Sequence, residues 1–248
     1  MNKIKEAIKF VLAIYFGLIT AIGFIVLYPG FLYTLSNPKR YKYGHRLRRF
    51  WGRWLFLCGF IRVKHIEEVK FDKSKPYVIA PNHTSKLDIV TLSVKLKMNF
   101  NFMAKIELAR VPFFGIFFRT IDISVDRKNA RQSAQAYQQS VDQLNKEKRS
   151  IVIFPEGTIP STCPKMGRFK EGAFKLAVET QTDILPVTIM NNWRILPDAG
   201  KFRFRPGKVI QYVHAPISTK GLTEADIPML KEKVFNLITN KLAEYGYK

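Results

Sequence analysis

The hydrophobic pattern changes rhythm near residue 60. From Phe10 to Leu35 the chain is apolar and carries no charge. Such a run predicts a helix that is hydrophobic on all sides. The part before Pro29 is just long enough to span hydrocarbon. From about Val63 onward short apolar runs alternate with longer amphipathic stretches. Strands are predicted at Tyr77–Ala80, Phe100–Ala104, Ile121–Val125, Ile151–Phe154, Ile184–Met190 and Lys208–Val213. Helices are predicted at Leu87–Leu96, Ala130–Lys146 and Ala173–Glu179. A last helix, about Thr223–Tyr245, carries Ile227, Leu230, Val234, Leu237, Ile238 and Leu242 at helical spacing, with Lys231, Glu232, Lys233 and Lys241 on its other face. It reads as a packing surface rather than a second membrane helix. The alternation predicts an α/β domain. The chain divides into a helical, membrane-associated segment at 1–60 and an α/β domain at 61–248. Pro197–Lys208 reads as a surface loop, and no internal repeat is evident.

Charge sharpens this picture. The 248 residues carry a net charge of +22, and Glu6 is the only acid between Met1 and Ile66. Lys39, Arg40, Lys42, Arg46, Arg48, Arg49 and Arg53 follow the apolar run, mixed with Tyr41, Tyr43, Trp51 and Trp54. Basic residues beside an apolar segment favour the cytoplasmic side, and Tyr and Trp favour the headgroup layer. Lys3, Lys5 and Lys9 make the other flank basic too. A single span and a re-entrant or surface-lying hairpin both fit that arrangement. Nucleic-acid binding is favoured only by the charge, since these cations border a lipid-like stretch. Cys58 and Cys163 make no disulfide framework, and no Cys/His cluster has zinc spacing. No metal is expected.

Candidate chemistry begins at Asn82-His83-Thr84-Ser85-Lys86-Leu87-Asp88, which reads as a strand end, a turn and a helix starting near Thr84. On one straight helix five residues turn about 500°, so His83 and Asp88 would not share a face. A histidine in the turn, folded back over the first helical turn, would bring Asp88 to its ring. The other ring nitrogen would then be free to take a proton. Ser85 and Asp88 equally fit a helix-capping pair. Pro155-Glu156-Gly157-Thr158 follows a buried strand, and would share a rim with His83 if the two strands are parallel. Arg127 at one strand end, Lys105 at another, and Arg168 and Lys170 in a glycine-flanked turn are candidate phosphate ligands; each alone also fits a solvated surface cation.

These residues resemble those of the bacterial 1-acyl-sn-glycerol-3-phosphate acyltransferases, within the glycerolipid acyltransferase superfamily. Asn82 to Asp88 looks like the family's N-H-x-x-x-x-D block. Phe154-Pro155-Glu156-Gly157-Thr158 looks like F-P-E-G-T-R. Ile184-Leu185-Pro186-Val187 resembles its apolar-Pro-Val strand, and Phe169-Lys170-Glu171-Gly172 a common F-K-x-G. The resemblance runs from about residue 60 to the end. Two departures stand out: Ile121 and Ser124 replace the glycine and phenylalanine of G-x-I-F-I-D-R, and Ile159 replaces the final arginine of the third block.

The resemblance implies a central mixed sheet flanked by helices, preceded by an apolar membrane-anchoring helical segment. It implies acyl transfer from acyl-carrier protein or acyl-CoA to the free hydroxyl of lysophosphatidic acid, giving phosphatidic acid. His83 would be the base and Asp88 its orienting acid. Asn82, Arg127, Glu156, Gly157 and Thr158 would bind the acceptor, with Lys105, Arg168 or Lys170 standing in for the arginine missing at Ile159. Backbone N–H groups near the His83 turn are the expected oxyanion donors, and Phe113, Phe114, Phe117 and Phe118 an expected acyl groove. No cofactor beyond the acyl donor is implied. The expected partners are the two substrates and anionic lipid, at the cytoplasmic face of a bacterial inner membrane. A different lysophospholipid or an acylated amino acid as acceptor is the nearest alternative, and a non-catalytic basic membrane adaptor is the second.

Overall fold

The computed structural model describes residues 2–111, 114–126, 128–198 and 203–247. The apolar run forms a single helix, α1 (Asn2–Leu35), which continues through Pro29. Its stretch Ala7–Leu35 is long and apolar enough to cross a bilayer by length and composition. A short turn at Pro38–Arg40, capped by the Asn37 side chain on the Lys39 N–H, reverses the chain. Helix α2 (Tyr41–Cys58) then folds back on α1. The two make a hairpin. The indole N–H groups of Trp54 and Trp51 donate to the carbonyls of Ile19 and Thr20 across it. Gly23 permits the approach: a Cβ there would sit 2.6 Å from the Trp54 ring.

The hairpin is not an appendage. Ala13, Phe16, Phe24, Phe31 and Leu35 on one face of α1 are buried. Phe16 stacks on Phe204 with ring centroids 4.0 Å apart, and Phe24 and Phe31 pack edge-on against Phe117. Each such ring contributes about 2–3 kcal/mol of burial. The opposite face, with Phe10, Val11, Ile14, Leu18, Ile22, Ile25 and Val26, is exposed.

Among the described residues seven strands make one sheet: β1 (Ile61–Glu67), β2 (Val78–Pro81), β3 (Phe100–Lys105), β4 (Ile123–Val125), β5 (Ser150–Val152), β6 (Ile184–Met190) and β7 (Gly207–Val213). Their spatial order is β1-β7-β6-β2-β5-β3-β4. The pairs are parallel except β6–β7, so the sheet is mixed. Central strands are buried on both faces. Ile79 and Val152 point into a core shared with α1, α2, α3 (Leu87–Lys95) and α4 (Ile116–Thr120). Val78, Ala80, Ile151 and Ile153 point into a second core under α5 (Ala130–Asn145), α6 (Gly172–Glu179) and α8 (Ile227–Glu244). This two-sided burial explains the unbroken apolar runs of these strands.

Several boundaries differ from expectation. β1 was not predicted; as an edge strand it alternates Ile61, Val63 and His65 with charges, and only pairing with β7 defines it. Ile121 and Asp122 belong to a turn whose N–H groups return to the Phe117 carbonyl, so β4 starts at Ile123. Helix α3 begins at Leu87, not near Thr84. The expected C-terminal helix is divided between a 3₁₀ turn at Glu224–Asp226 and α8, which buries Ile227, Leu230, Val234, Ile238 and Leu242. In the expected loop Pro197–Lys208, residues 199–202 lie outside the described residues, and Gly207 and Lys208 open β7.

Candidate active site

Strand β2 ends at Pro81, and the next side chain closes the strand into the sheet. Asn82 is fully buried, its amide nitrogen donates to the Ile189 carbonyl at 3.0 Å, and its oxygen accepts the Ile189 N–H at 2.7 Å. This corrects the expectation that Asn82 binds substrate: both polar ends of its side chain are spent on joining β2 to β6.

His83 follows in the turn, and its Nδ1 lies 2.9 Å from Asp88 Oδ2. The same oxygen accepts the N–H groups of Thr84 at 2.6 Å and Ser85 at 2.9 Å. Asp88 is therefore both the anchor of the turn that precedes α3 and the partner of the ring. With Nδ1–H donated to a carboxylate, the neutral imidazole carries its lone pair on Nε2. Among the described residues Nε2 makes no hydrogen bond. The ring stacks on Phe154 with centroids 3.9 Å apart. Asp88 Oδ1 accepts from Asn192 Nδ2 at 2.6 Å. Asn192 lies in α7 (Asn192–Ile195), just after β6. No sequence signal marked it, since it stands far along the chain from Asp88.

β5 is the parallel neighbour of β2, so Glu156 arrives on the His83 rim. Its Oε1 accepts the His83 N–H at 2.7 Å and its Oε2 the Gly167 N–H at 2.6 Å. Burial pushes its carboxyl up to about 7, opposed by those two N–H groups. Both oxygens clamp backbone. Gly157 takes φ of 75°, a conformation that favours glycine.

Most N–H groups of the turn expected to supply oxyanion donors are already paired. The N–H of Asn82 goes to the Val187 carbonyl, that of His83 to Glu156, those of Thr84 and Ser85 to Asp88, and those of Leu87 and Asp88 to Ser85. A buried turn must satisfy its own donors before it can serve a substrate.

Thr158, Lys105, Arg168 and Lys170 are exposed. Lys105 ends β3, next to β5 on the same rim, and Arg168 adjoins Gly167. Lys170 and Gly157 line a cavity of about 230 Å³ together with Phe154, Pro155 and Tyr137. Arg127 lies outside the described residues.

A larger cavity, about 730 Å³, opens between the hairpin and the sheet domain. Its walls include Phe16, Ala21 and Phe24 of α1, Trp51 of α2, and Phe114, Phe117 and Phe118; Phe113 lies outside the described residues. Lys86 and Leu87, which immediately follow the His83 turn, also border it. Its wall is apolar apart from a few groups that include the buried pair Arg48–Asp122, 2.7 Å apart. Neither residue was singled out from the sequence as a site.

A mixed α/β sheet with a carboxylate-oriented histidine at its carboxyl rim defines a class of protein built around an oriented base. The acyltransferase family profile matches residues 61–190. The chain is 32% identical over 228 residues to a 1-acyl-sn-glycerol-3-phosphate acyltransferase of Saccharomyces cerevisiae, covering 91% of this chain and 74% of that one. To the enzyme of the same description from Haemophilus influenzae it is 30% identical, over 94% of this chain and 95% of that one. The crystal structure of the 1-acyl-sn-glycerophosphate (LPA) acyltransferase, PlsC, from Thermotoga maritima superposes with a TM-score of 0.80 at 25% identity, over 100% of this chain and 99% of that one. The chain belongs to the acyltransferase family, among the 1-acyl-sn-glycerol-3-phosphate acyltransferases.

Proposed function

We propose that this enzyme moves a fatty acyl group from a thioester donor to the sn-2 hydroxyl of 1-acyl-glycerol-3-phosphate at a membrane surface. The observation that carries the reading is the His83–Asp88 contact, with no hydrogen bond on Nε2 among the described residues. His83 Nε2 takes the hydroxyl proton as the oxygen attacks the thioester carbonyl carbon. The tetrahedral intermediate expels the thiolate, which takes the proton from the imidazolium. Asp88 steadies that cation. The substrate hydroxyl is the nucleophile, so no acyl-enzyme forms. Lys105, Arg127, Arg168 and Lys170 are the cations proposed to meet the acceptor phosphate, with Gly157 and Thr158 beside them; Glu156 holds the turn they face. The donor is acyl-CoA or acyl-carrier protein, and no further cofactor is required by this chemistry.

The hairpin supports membrane attachment. α2 presents Lys42, Arg46, Arg49 and Arg53 as one stripe and Tyr43, Phe50, Trp54 and Leu57 as the next, at helical spacing. Phe50 and Leu57 are exposed, as is the outer face of α1. Because α1 packs on its own domain from Ala13 to Leu35, it is proposed to lie in the bilayer surface rather than cross it. In a bacterium this would be the cytoplasmic face of the inner membrane, where basic flanks meet anionic lipid.

Purified full-length protein in lipid vesicles, offered a panel of lysolipids with each donor, tests the proposal by mass spectrometry of the products. Phosphatidic acid formed from lysophosphatidic acid is expected. Transfer only to another lysophospholipid or an acylated amino acid would move the assignment to that acceptor, and no transfer at all would favour an adaptor.

A further inference from the structure

Resting on the His83 base reading, we infer that Asn192 is a positioning residue of the reaction, acting through Asp88. Asp88 is fully buried, and its two oxygens are loaded unequally. Oδ2 carries the His83 ring and two backbone N–H groups. Oδ1 carries Asn192 Nδ2 at 2.6 Å and a long Thr84 Oγ1 contact at 3.4 Å. Asn192 is thus the one close donor on Oδ1, and with the donors on Oδ2 it restrains rotation of the carboxylate about its Cβ–Cγ bond, which sets whether Oδ2 stays in line with Nδ1–H.

Chemistry fixes which end of the amide faces Asp88. An oxygen there would oppose a carboxylate oxygen at contact distance. The same nitrogen also reaches Thr91 Oγ1 at 3.1 Å, and that hydroxyl donates to the Leu87 carbonyl at 3.0 Å, so it accepts from the amide. Asn192 is itself fully buried.

The fold invests in placing it. Asn191, immediately before, adopts φ of 74°, which asparagine tolerates, and its amide donates to the Lys208 carbonyl. Two residues earlier, Ile189 is gripped through both backbone groups by Asn82, the residue next to His83. One asparagine thus registers β6 against the His83 turn, and a second reaches back from the end of β6 to hold the acid.

The test uses full-length protein in vesicles, with kcat and both KM values measured across pH for wild type, His83→Ala, Asn192→Ala and Asn192→Asp. Asn192→Ala is expected to lower kcat about 10- to 100-fold with both KM values unchanged. Asn192→Asp is isosteric. At acid pH one proton shared by the two carboxyls replaces the lost N–H donor. As that proton leaves, like charges repel and activity falls, giving an alkaline limb that wild type lacks. The other titratable groups around Asp88 are His83, Glu156, Cys163 and the Lys86–Asp198 pair; all are common to wild type and variant. A kcat for Asn192→Ala within about twofold of wild type overturns the inference, as does an Asn192→Asp profile parallel to wild type at every pH. High turnover in His83→Ala would instead remove the base reading itself, whatever the Asn192 variants do.

Discussion

Two of the histidine–carboxylate pairs sit in different parts of this sheet with opposite partners buried, and only one has the makings of a catalyst. At the far end of β7, His214 Nδ1 lies 3.4 Å from Glu68 and its Nε2 2.7 Å from the Thr188 hydroxyl. By residue type that is hydroxyl, imidazole and carboxylate, the members of a nucleophilic triad. Thr188 is nevertheless fully buried, and burial pushes the His214 ring down to about 3, helped by Lys241. At the β2 rim the order is reversed. Asp88 is the buried member, tied down by four close donors, while the partly exposed His83 ring keeps one nitrogen without a hydrogen bond among the described residues. His45 marks the other extreme: it lies between Arg48 at 3.3 Å and Arg149 at 3.2 Å, and burial with those cations drives it down to about 2. A carboxylate neighbour is therefore not enough. What separates the sites is which partner is buried, and what the second nitrogen faces.

The comparison can be broken most directly at the ring. His83→Ala is expected to lower turnover about 10³-fold or more, with vesicle binding retained. His214→Ala, measured in the same assay per folded molecule, should stay within a few-fold of wild type; a comparable loss there would dissolve the distinction. Asp88→Asn should cost about 100-fold or more in kcat, whereas Glu68→Gln leaves kcat unchanged.

The clamp beneath the ring sharpens the contrast through pH. The Glu156 carboxyl titrates near 7 in the fold, above its ordinary value of 4.5. Its neutral form is thus favoured by folding, and the stability it contributes is full below about 4.5 and is lost as pH rises through 7. Denaturant melts should show wild type losing up to about 3 kcal/mol relative to Glu156→Gln across that window. A pH-independent difference would show that the carboxyl titrates normally.

Smaller effects concern the large cavity. Ala21→Phe, projecting into the large cavity, should cut kcat/KM for long acyl chains about tenfold more than for short ones; equal loss for both would remove the cavity from acyl binding. The smallest effect is at the surface. Arg46→Glu and Arg53→Glu should each weaken binding to anionic vesicles by about fivefold or somewhat more at low salt, read by co-sedimentation, with little change on neutral vesicles.

Removing residues 1–35 is not a clean test of anchoring. It would strip Phe16, Phe24 and Phe31 from the core as well as removing the exposed apolar face. The sequence displayed the apolar run but not that one face of it belongs to the α/β domain. Uniform hydrophobicity conceals a division between exposed and protein-facing sides, because both sides carry the same kinds of residue.

What the chain determined by itself is local or periodic. The two-sided burial of β2, β5 and β6 is written in their unbroken apolar runs, and the amphipathic stripe of α8 in its spacing. The His83–Asp88 contact was legible because a turn and one helical turn bring residues five apart into reach. Tertiary structure decided the rest. Strand order put Glu156 under the His83 N–H, the Asn82–Ile189 bridge gave Asn82 a structural task, and the end of β6 delivered Asn192 to Asp88. Such contacts join residues 73 to 107 positions apart. Nothing in the spacing of residues that distant encodes their meeting; the packing of the sheet does.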